Sequence, residues 1–284
     1  MNSIEKHAFK RNQLKLLPGY IVILILLLII IVPLLLIIIM SGSDWTAFNK
    51  DFLSILKTGF QWQNYSTAWD KGNMPLYFKN TFIVMLISLA MTNLFASLLA
   101  YAIKYYNSKI SNLAYYVILS AMFIPAQALM LPLYTTMSKL HLLNNLFGVA
   151  LVYTGMGLPL ATMMYTGFYK GIDRGLLEAA MLDGCNSLQV YAKVMLPLSK
   201  TVASTVVILS GMTIWKDFFV PLIVVSDMRL KTVATSMQMF VSEYTTEWSS
   251  VCAAMVIQTI PAIIIFLLLQ KQFVSGITAG SVKG

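Results

Sequence analysis

Charge is scarce in this chain. Only 11% of its 284 residues are Asp, Glu, Lys or Arg, where a soluble domain carries about 25%. So little charge cannot cover a water-facing surface. With 58% of residues hydrophobic, the composition puts the chain in a membrane. Histidine is nearly absent, and His7 and His141 stand alone, so no metal site is expected. Cys185 and Cys252 lack metal-ligand spacing. The topology read below puts them on opposite sides of the bilayer, so no disulfide is expected between them. No phosphate-cradling loop ending in Gly-Lys-Ser or Gly-Lys-Thr occurs, nor a nucleophile with an evident base. The chain is not expected to bind or hydrolyse ATP by itself. No internal repeat marks an inverted-repeat transporter. The net charge of +9 is no nucleic-acid signature at this density. Lys and Arg flanking membrane spans explain it better.

Long apolar runs are what the chain has instead. Residues 1–19 are basic, and the uncharged run Tyr20–Met40 follows. At about 1.5 Å per residue that run crosses a hydrocarbon core of about 30 Å. It exceeds the apolar region of a signal peptide, and Ser41-Gly42-Ser43-Asp44 is a poor cleavage site. It reads as a permanent first span, kinked at Pro33. Residues 41–75 form a polar external loop whose Trp45, Trp62, Tyr65 and Trp69 read as interfacial anchors. A second span of about 76–103 carries Ser88, Ala90, Ala96, Ser97 and Ala100, small residues suited to close helix packing. A third, about 112–137, holds Pro125 and Pro132 around Gln127 and predicts a broken helix. Such a break either lines the pathway or serves packing. Spans of about 146–168, 201–225 and 251–273 complete six. The core is 76–273, with a polar loop at 169–200 and a tail at 274–284. Twelve of the 20 Lys and Arg fall in the segments this topology makes cytoplasmic, against seven outside. That places both termini in the cytoplasm.

The polar loop is the most informative stretch. Asp173 is a candidate N-cap for a helix of about 174–182. Leu176, Leu177, Ala180 and Met181 would share its apolar face. Gly184 can end that helix at positive φ. Asn186 and Gln189 suggest a capping box for a second helix, with Leu188, Tyr191, Val194 and Met195 on its apolar side. The set Glu178, Ala179, Ala180, Asp183, Gly184, Leu196 and Pro197 resembles the cytoplasmic coupling loop of ATP-binding cassette importer permeases. The resemblance extends over about residues 76–284.

The tail Gln270–Gly284 resembles the ending of maltose-type carbohydrate permeases. The resemblance implies an all-α, six-span type I importer permease in the prokaryotic cell membrane. It implies two ATPase subunits that bind ATP and Mg, a second permease, an extracytoplasmic solute-binding protein and a sugar substrate. No cofactor would be bound by this chain. Ser275, Gly276, Thr278, Gly280 and Lys283 would reach the ATPases. Trp215, Lys216, Asp217 and Phe218 resemble a segment of the family's fifth span. Gln127, Trp215, Lys216 and Asp217 are candidates for the pathway or for contact with the partner permease. Tyr244 and Trp248, in an external helical excursion over 226–250, would meet the binding protein. An ion-coupled transporter is the alternative, with Asp217 the only intramembrane carboxylate available. A membrane hydrolase would lack any catalytic constellation.

Overall fold

The computed structural model of the protein describes residues 3–51, 54–241 and 246–281. Four helices among them are long and apolar enough to cross a membrane, and six spans result if each of two bent pairs counts as one. The residues fall into two bodies, 1–72 with 239–257 and 73–238 with 258–284.

In the first body, α1 (Ser3–Ser41) continues the first span back through the basic segment, with Pro18 and Pro33 inside it. Its end is closed by side chains. Asn64 Nδ2 donates to the Ser41 and Ser43 carbonyls at 3.0 and 2.9 Å. The Ser41 and Tyr65 hydroxyls lie 2.6 Å apart. Phe60, Trp62 and Tyr65 pack their rings together.

The second body is built on α2 (Met74–Tyr106) and a later helix, α5 (Leu146–Lys170), which make its most extensive helix contact. The sequence explains the closeness. On α2, Ser88, Thr92, Ala96 and Ala100 recur every fourth residue and are all buried. Opposite them, a Cβ at Gly157 of α5 would stand 3.3 Å from the Thr92 methyl. Small side chains let the two backbones approach, and dispersion then holds helices that lipid would otherwise separate. Ala90 faces outward.

Between these helices lies the expected break. α3 (Lys109–Ser120) and α4 (Met130–Lys139), each extended by a 3-10 turn, meet at 98°. Ile124 is extended, as the residue before a proline prefers. Pro132 interrupts nothing. It sits in the first turn of α4, where a helix needs no N–H.

The polar loop carries α6 (Arg174–Leu182) and α7 (Ser187–Leu198). The fifth span then departs from the expected unbroken run. α8 (Lys200–Lys216) stops at Asp217, whose ψ of 124° is extended, and a short α9 (Phe219–Val224) restarts. Pro221 supplies the reason. In a continuous helix its ring would clash with the carbonyl four residues earlier, that of Asp217.

Residues 226–240 are largely helical, as expected, but as two 3-10 helices, Met228–Leu230 and Val233–Phe240, rather than an α-helix. Side chains satisfy much of the backbone that flanks these helices. Asn80 Nδ2 donates to the carbonyls of Arg229 and Lys231 at 3.0 and 2.8 Å. Asn144 Oδ1 accepts from the Ser226 and Asp227 amides at 2.7 and 2.9 Å. Burial lowers the pKa of Lys231, whose Nζ donates to Gln238 Oε1 at 3.3 Å. The last helix, α10 (Trp248–Ser281), runs past the expected end of the sixth span into the tail.

Candidate functional site

The loop between α5 and α8 is a short helical hairpin whose turn chemistry can be read bond by bond. Asp173 Oδ1 accepts from the Gly175 amide at 2.9 Å and caps α6. At the other end the Gly184 amide donates to the Met181 carbonyl and the Cys185 amide to the Ala180 carbonyl, both at 3.0 Å. This pair of bonds is a Schellman motif, which needs a left-handed residue after the helix. Gly184 provides it at φ +85°. Asn186 and Gln189 then exchange side-chain-to-amide bonds, both 2.9 Å, in the capping box that opens α7. Ahead of Pro197 the helix widens. The Leu196 amide reaches the Tyr191 carbonyl five residues back, in a π-turn over Tyr191–Met195.

One side of the hairpin is fixed to the spans. Leu177, Val190, Tyr191 and Met195 are buried against Ala96, Ala100, Tyr101, Tyr165 and Tyr169. Within that apolar seam the Tyr191 and Ser97 hydroxyls lie 2.7 Å apart, and Tyr101 donates to the Ser187 carbonyl at 2.8 Å. Lys104 Nζ donates to the Ile172 carbonyl at 3.2 Å. The hairpin is therefore tied to the end of α2 at three places and can follow that helix as a rigid piece.

The other side is bare. Leu182 is 88% exposed and Leu188 68%, and Leu176 and Met181 are also exposed. The apolar faces expected from spacing thus divide. Leu177 goes inward while Leu176 and Met181 go out, and Leu188 turns away from Tyr191 and Met195. Glu178, Ala179, Asp183, Gly184, Leu196 and Pro197 are exposed too, with Ala180 half-buried. Glu178 pairs with Arg174 one turn back, Nε to Oε1 at 3.2 Å.

The intramembrane candidates form a second cluster. Asp217 accepts the Tyr153 hydroxyl at 2.8 Å on Oδ2, which also takes the Val220 amide at 3.2 Å. Its Oδ1 takes the Phe219 amide at 3.2 Å. The carboxylate is thus the cap of α9. Gln127 and Asp217 line one cavity of about 90 Å³ with Met130, Met156 and Phe219. Ligand sites run from about 300 Å³ upward, so this space is small in the present conformation. Trp215 lies among the rings of Phe78 and Phe82 and donates Nε1–H to the Gln258 carbonyl at 3.0 Å. Lys216 is exposed and closes α8, where a cation complements the helix dipole.

Trp248 begins α10 beside Trp45, ring centroids 6.2 Å apart. Tyr244 and Lys283 lie outside the described residues. Ser275, Gly276, Thr278 and Gly280 belong to the helical backbone of α10, and their side chains lie outside the described ones. Sequence reasoning overlooked Tyr101, Tyr153, Tyr165 and Tyr169. The four-residue spacing of Tyr165 and Tyr169 was the available signal for a buried polar-tipped stripe.

Comparison with known proteins agrees with this architecture. Residues 92–279 match the family described as binding-protein-dependent transport system inner membrane component. A probable starch degradation products transport system permease protein of Thermoanaerobacterium thermosulfurigenes is 34% identical over 220 residues, 78% of this chain and 80% of the relative. An arabinooligosaccharides transport system permease protein of Bacillus subtilis is 31% identical, with 82% of each chain covered. A crystal structure of a bacterial ABC transporter involved in the import of the acidic polysaccharide alginate contains a chain of the same fold. Its TM-score is 0.74 at 20% identity, covering 96% of this chain and 99% of that one. The chain therefore belongs to the binding-protein-dependent transport system inner membrane component family, and is a multi-pass permease subunit of the prokaryotic cell membrane.

Proposed function

We propose that this permease is one of two membrane subunits of an ATP-driven sugar or oligosaccharide importer. The starch-product and arabinooligosaccharide relatives support that substrate class. Two partner ATPase subunits would bind ATP and Mg, and an external binding protein would deliver the sugar. This chain would itself hold no cofactor and perform no hydrolysis.

One observation carries the reading. The exposed turn from Glu178 to Gly184 stands on a hairpin bolted to α2 through Tyr101 and Tyr191. A push on the turn therefore reaches the spans without being absorbed by a soft loop. ATP would close the ATPase pair, the hairpin would move with it, and the spans would turn the cavity outward. Nucleotide then acts by its different affinity for two states. The loop's face of the membrane would be cytoplasmic, as would both termini. An ion-coupled cycle gains no support, since Asp217 is already committed to Tyr153 and two amides.

Glu178 gives the test. Its exposed pair with Arg174 is worth only about 0.3–0.5 kcal/mol, so losing it should leave the fold intact. In the ATPase cleft the same carboxylate would be partly buried against a cation, and losing that partner costs roughly 3–5 kcal/mol. Glu178→Ala should therefore insert normally but retain less ATPase on copurification, and Glu178→Lys less still. Full ATPase retention and uptake in both would remove the coupling role.

Two further contacts belong to this reading. The tail from Gly276 to Gly284 would reach the ATPases, so deleting it should lower ATP turnover or uncouple it from sugar. Residues 226–250, with Tyr244 and Trp248, would meet the binding protein. A Gly/Ser replacement should abolish stimulation by that protein while the complex still assembles. Wild-type turnover or stimulation, respectively, would reject each.

A further inference from the structure

Where α2 and α5 end and α3 begins, a cavity of about 460 Å³ opens beside α6. Lys104, Lys170, Arg174 and Glu178 line it, three cations against one carboxylate. That carboxylate is taken by Arg174 at 3.2 Å. Lys104 donates to a neutral carbonyl, that of Ile172. Lys170 Nζ stands 5.3 Å from the centre of the Tyr115 ring. Neither contact neutralises a charge, so two positive charges face the cavity in excess. Neighbouring cations repel, and an anion between them relieves that repulsion.

The level of the cavity says what kind of anion. Tyr105 lines it, Tyr106 ends α2, and Tyr115 and Tyr116 follow within two turns of the start of α3. Tyrosines of this kind mark the headgroup layer of a bilayer. On α3, which contributes Asn112 to the lining, Ile110, Leu113 and Val117 are 61–81% exposed. The short helix that lines the charged pocket through Asn112 thus also carries, on another face, an exposed apolar flank.

We propose that this cavity holds the phosphate-bearing headgroup of an anionic phospholipid, with an acyl chain along Ile110, Leu113 and Val117. Basic pockets between span ends suit such headgroups. A free phosphate shares the headgroup's chemistry but would leave the apolar flank unused, and so would an acidic segment of a partner protein. The lipid would rest against α6 beside Glu178, at the base of the hairpin. Bilayer composition would then bear on the movement of that hairpin. The inference needs only the membrane placement of the chain, not the sugar or the ATPase contact proposed above.

The test uses the assembled importer in nanodiscs of phosphatidylcholine with a minor fraction of phosphatidylglycerol, followed by native mass spectrometry of retained lipid. The expected result is one phosphatidylglycerol held per copy of this chain in preference to phosphatidylcholine. Each surface cation contributes about fivefold to such binding. Lys104→Gln or Lys170→Gln should weaken retention about fivefold, and the double variant about 25-fold. Lys170→Arg should restore it, which separates lost charge from lost fold. Equal retention by the double variant, or no preference in the wild type, overturns the proposal. So does labelled inorganic phosphate that binds in pure phosphatidylcholine discs and is not displaced by phosphatidylglycerol. Lipid held by the permease alone but expelled when the ATPase subunits join would give the cavity to a partner's acidic segment, and would also overturn it.

Discussion

Gly184→Val should strip the permease of its ATPase partners while leaving it in the membrane. At φ +85° the residue sits where a Cβ is penalised, and a β-branched side chain most of all. The cost is of order 1–3 kcal/mol. Space is not the issue, because a Cβ at Gly184 would meet nothing within 4 Å. The Schellman bonds to Met181 and Ala180 would open instead, and the exposed Leu182 and Glu178 would lose their fixed presentation. A cost in that range corresponds to a loss of ATPase retention of about fivefold to 150-fold. Asn tolerates the left-handed region far better than Val. Gly184→Asn should therefore keep most of the retention. Copurification of the ATPase with each variant, alongside sugar uptake, measures both effects. Equal retention by Val and Asn variants would show that the turn's backbone geometry does not matter for docking.

The second large effect is expected at Asp217, and it is one of stability. Asp217→Ala removes the acceptor of three hydrogen bonds at once. It would orphan the hydroxyl of Tyr153, a residue only 5% exposed. It would also uncap α9, which by itself costs about 0.5–2 kcal/mol. A hydrogen bond to a charged group is worth about 1.5–3 kcal/mol, so the total is roughly 2–5 kcal/mol. Tyr153→Phe removes one donor and leaves the cap, so it should cost about 1.5–3 kcal/mol, less than Asp217→Ala by the cap's share. The double variant should cost hardly more than Asp217→Ala alone, since the two share an interaction. Thermal unfolding of the purified permease measures all three. Additive losses would mean that the Tyr153–Asp217 contact carries no energy. A wild-type midpoint for Asp217→Ala would mean that the break in the fifth span is held by Pro221 alone.

That break also shows where sequence reading went astray. Apolarity made 201–225 one span, and Lys216 and Asp217 looked like charges stranded within it. Pro221 carried the contrary signal, because its ring excludes the Asp217 carbonyl from a helix. The same rule, applied at Pro125, anticipated the broken third span correctly. At Pro132 it overcalled, since a proline in the first turn of a helix disrupts nothing. The 3-10 form of 226–240 escaped the sequence for another reason. Its backbone groups are answered by Asn80, Asn144 and Thr81, residues far away in sequence. No local pattern can announce such partners.

The sequence by itself determined the membrane class, the long apolar helices and the Glu178–Pro197 hairpin with its caps. Those features depend on hydropathy and on contacts within four or five residues, which composition and spacing encode directly. Only the tertiary structure decided that Tyr191 meets Ser97, 94 residues away, and that Tyr153 meets Asp217, 64 residues away. It also decided that Lys104, Lys170 and Arg174 share one cavity. Such meetings depend on how far each helix is rotated and how closely its neighbour approaches. Those quantities are set by the summed packing of whole faces, such as Ser88 to Ala100 against α5, and no single stretch of chain contains them.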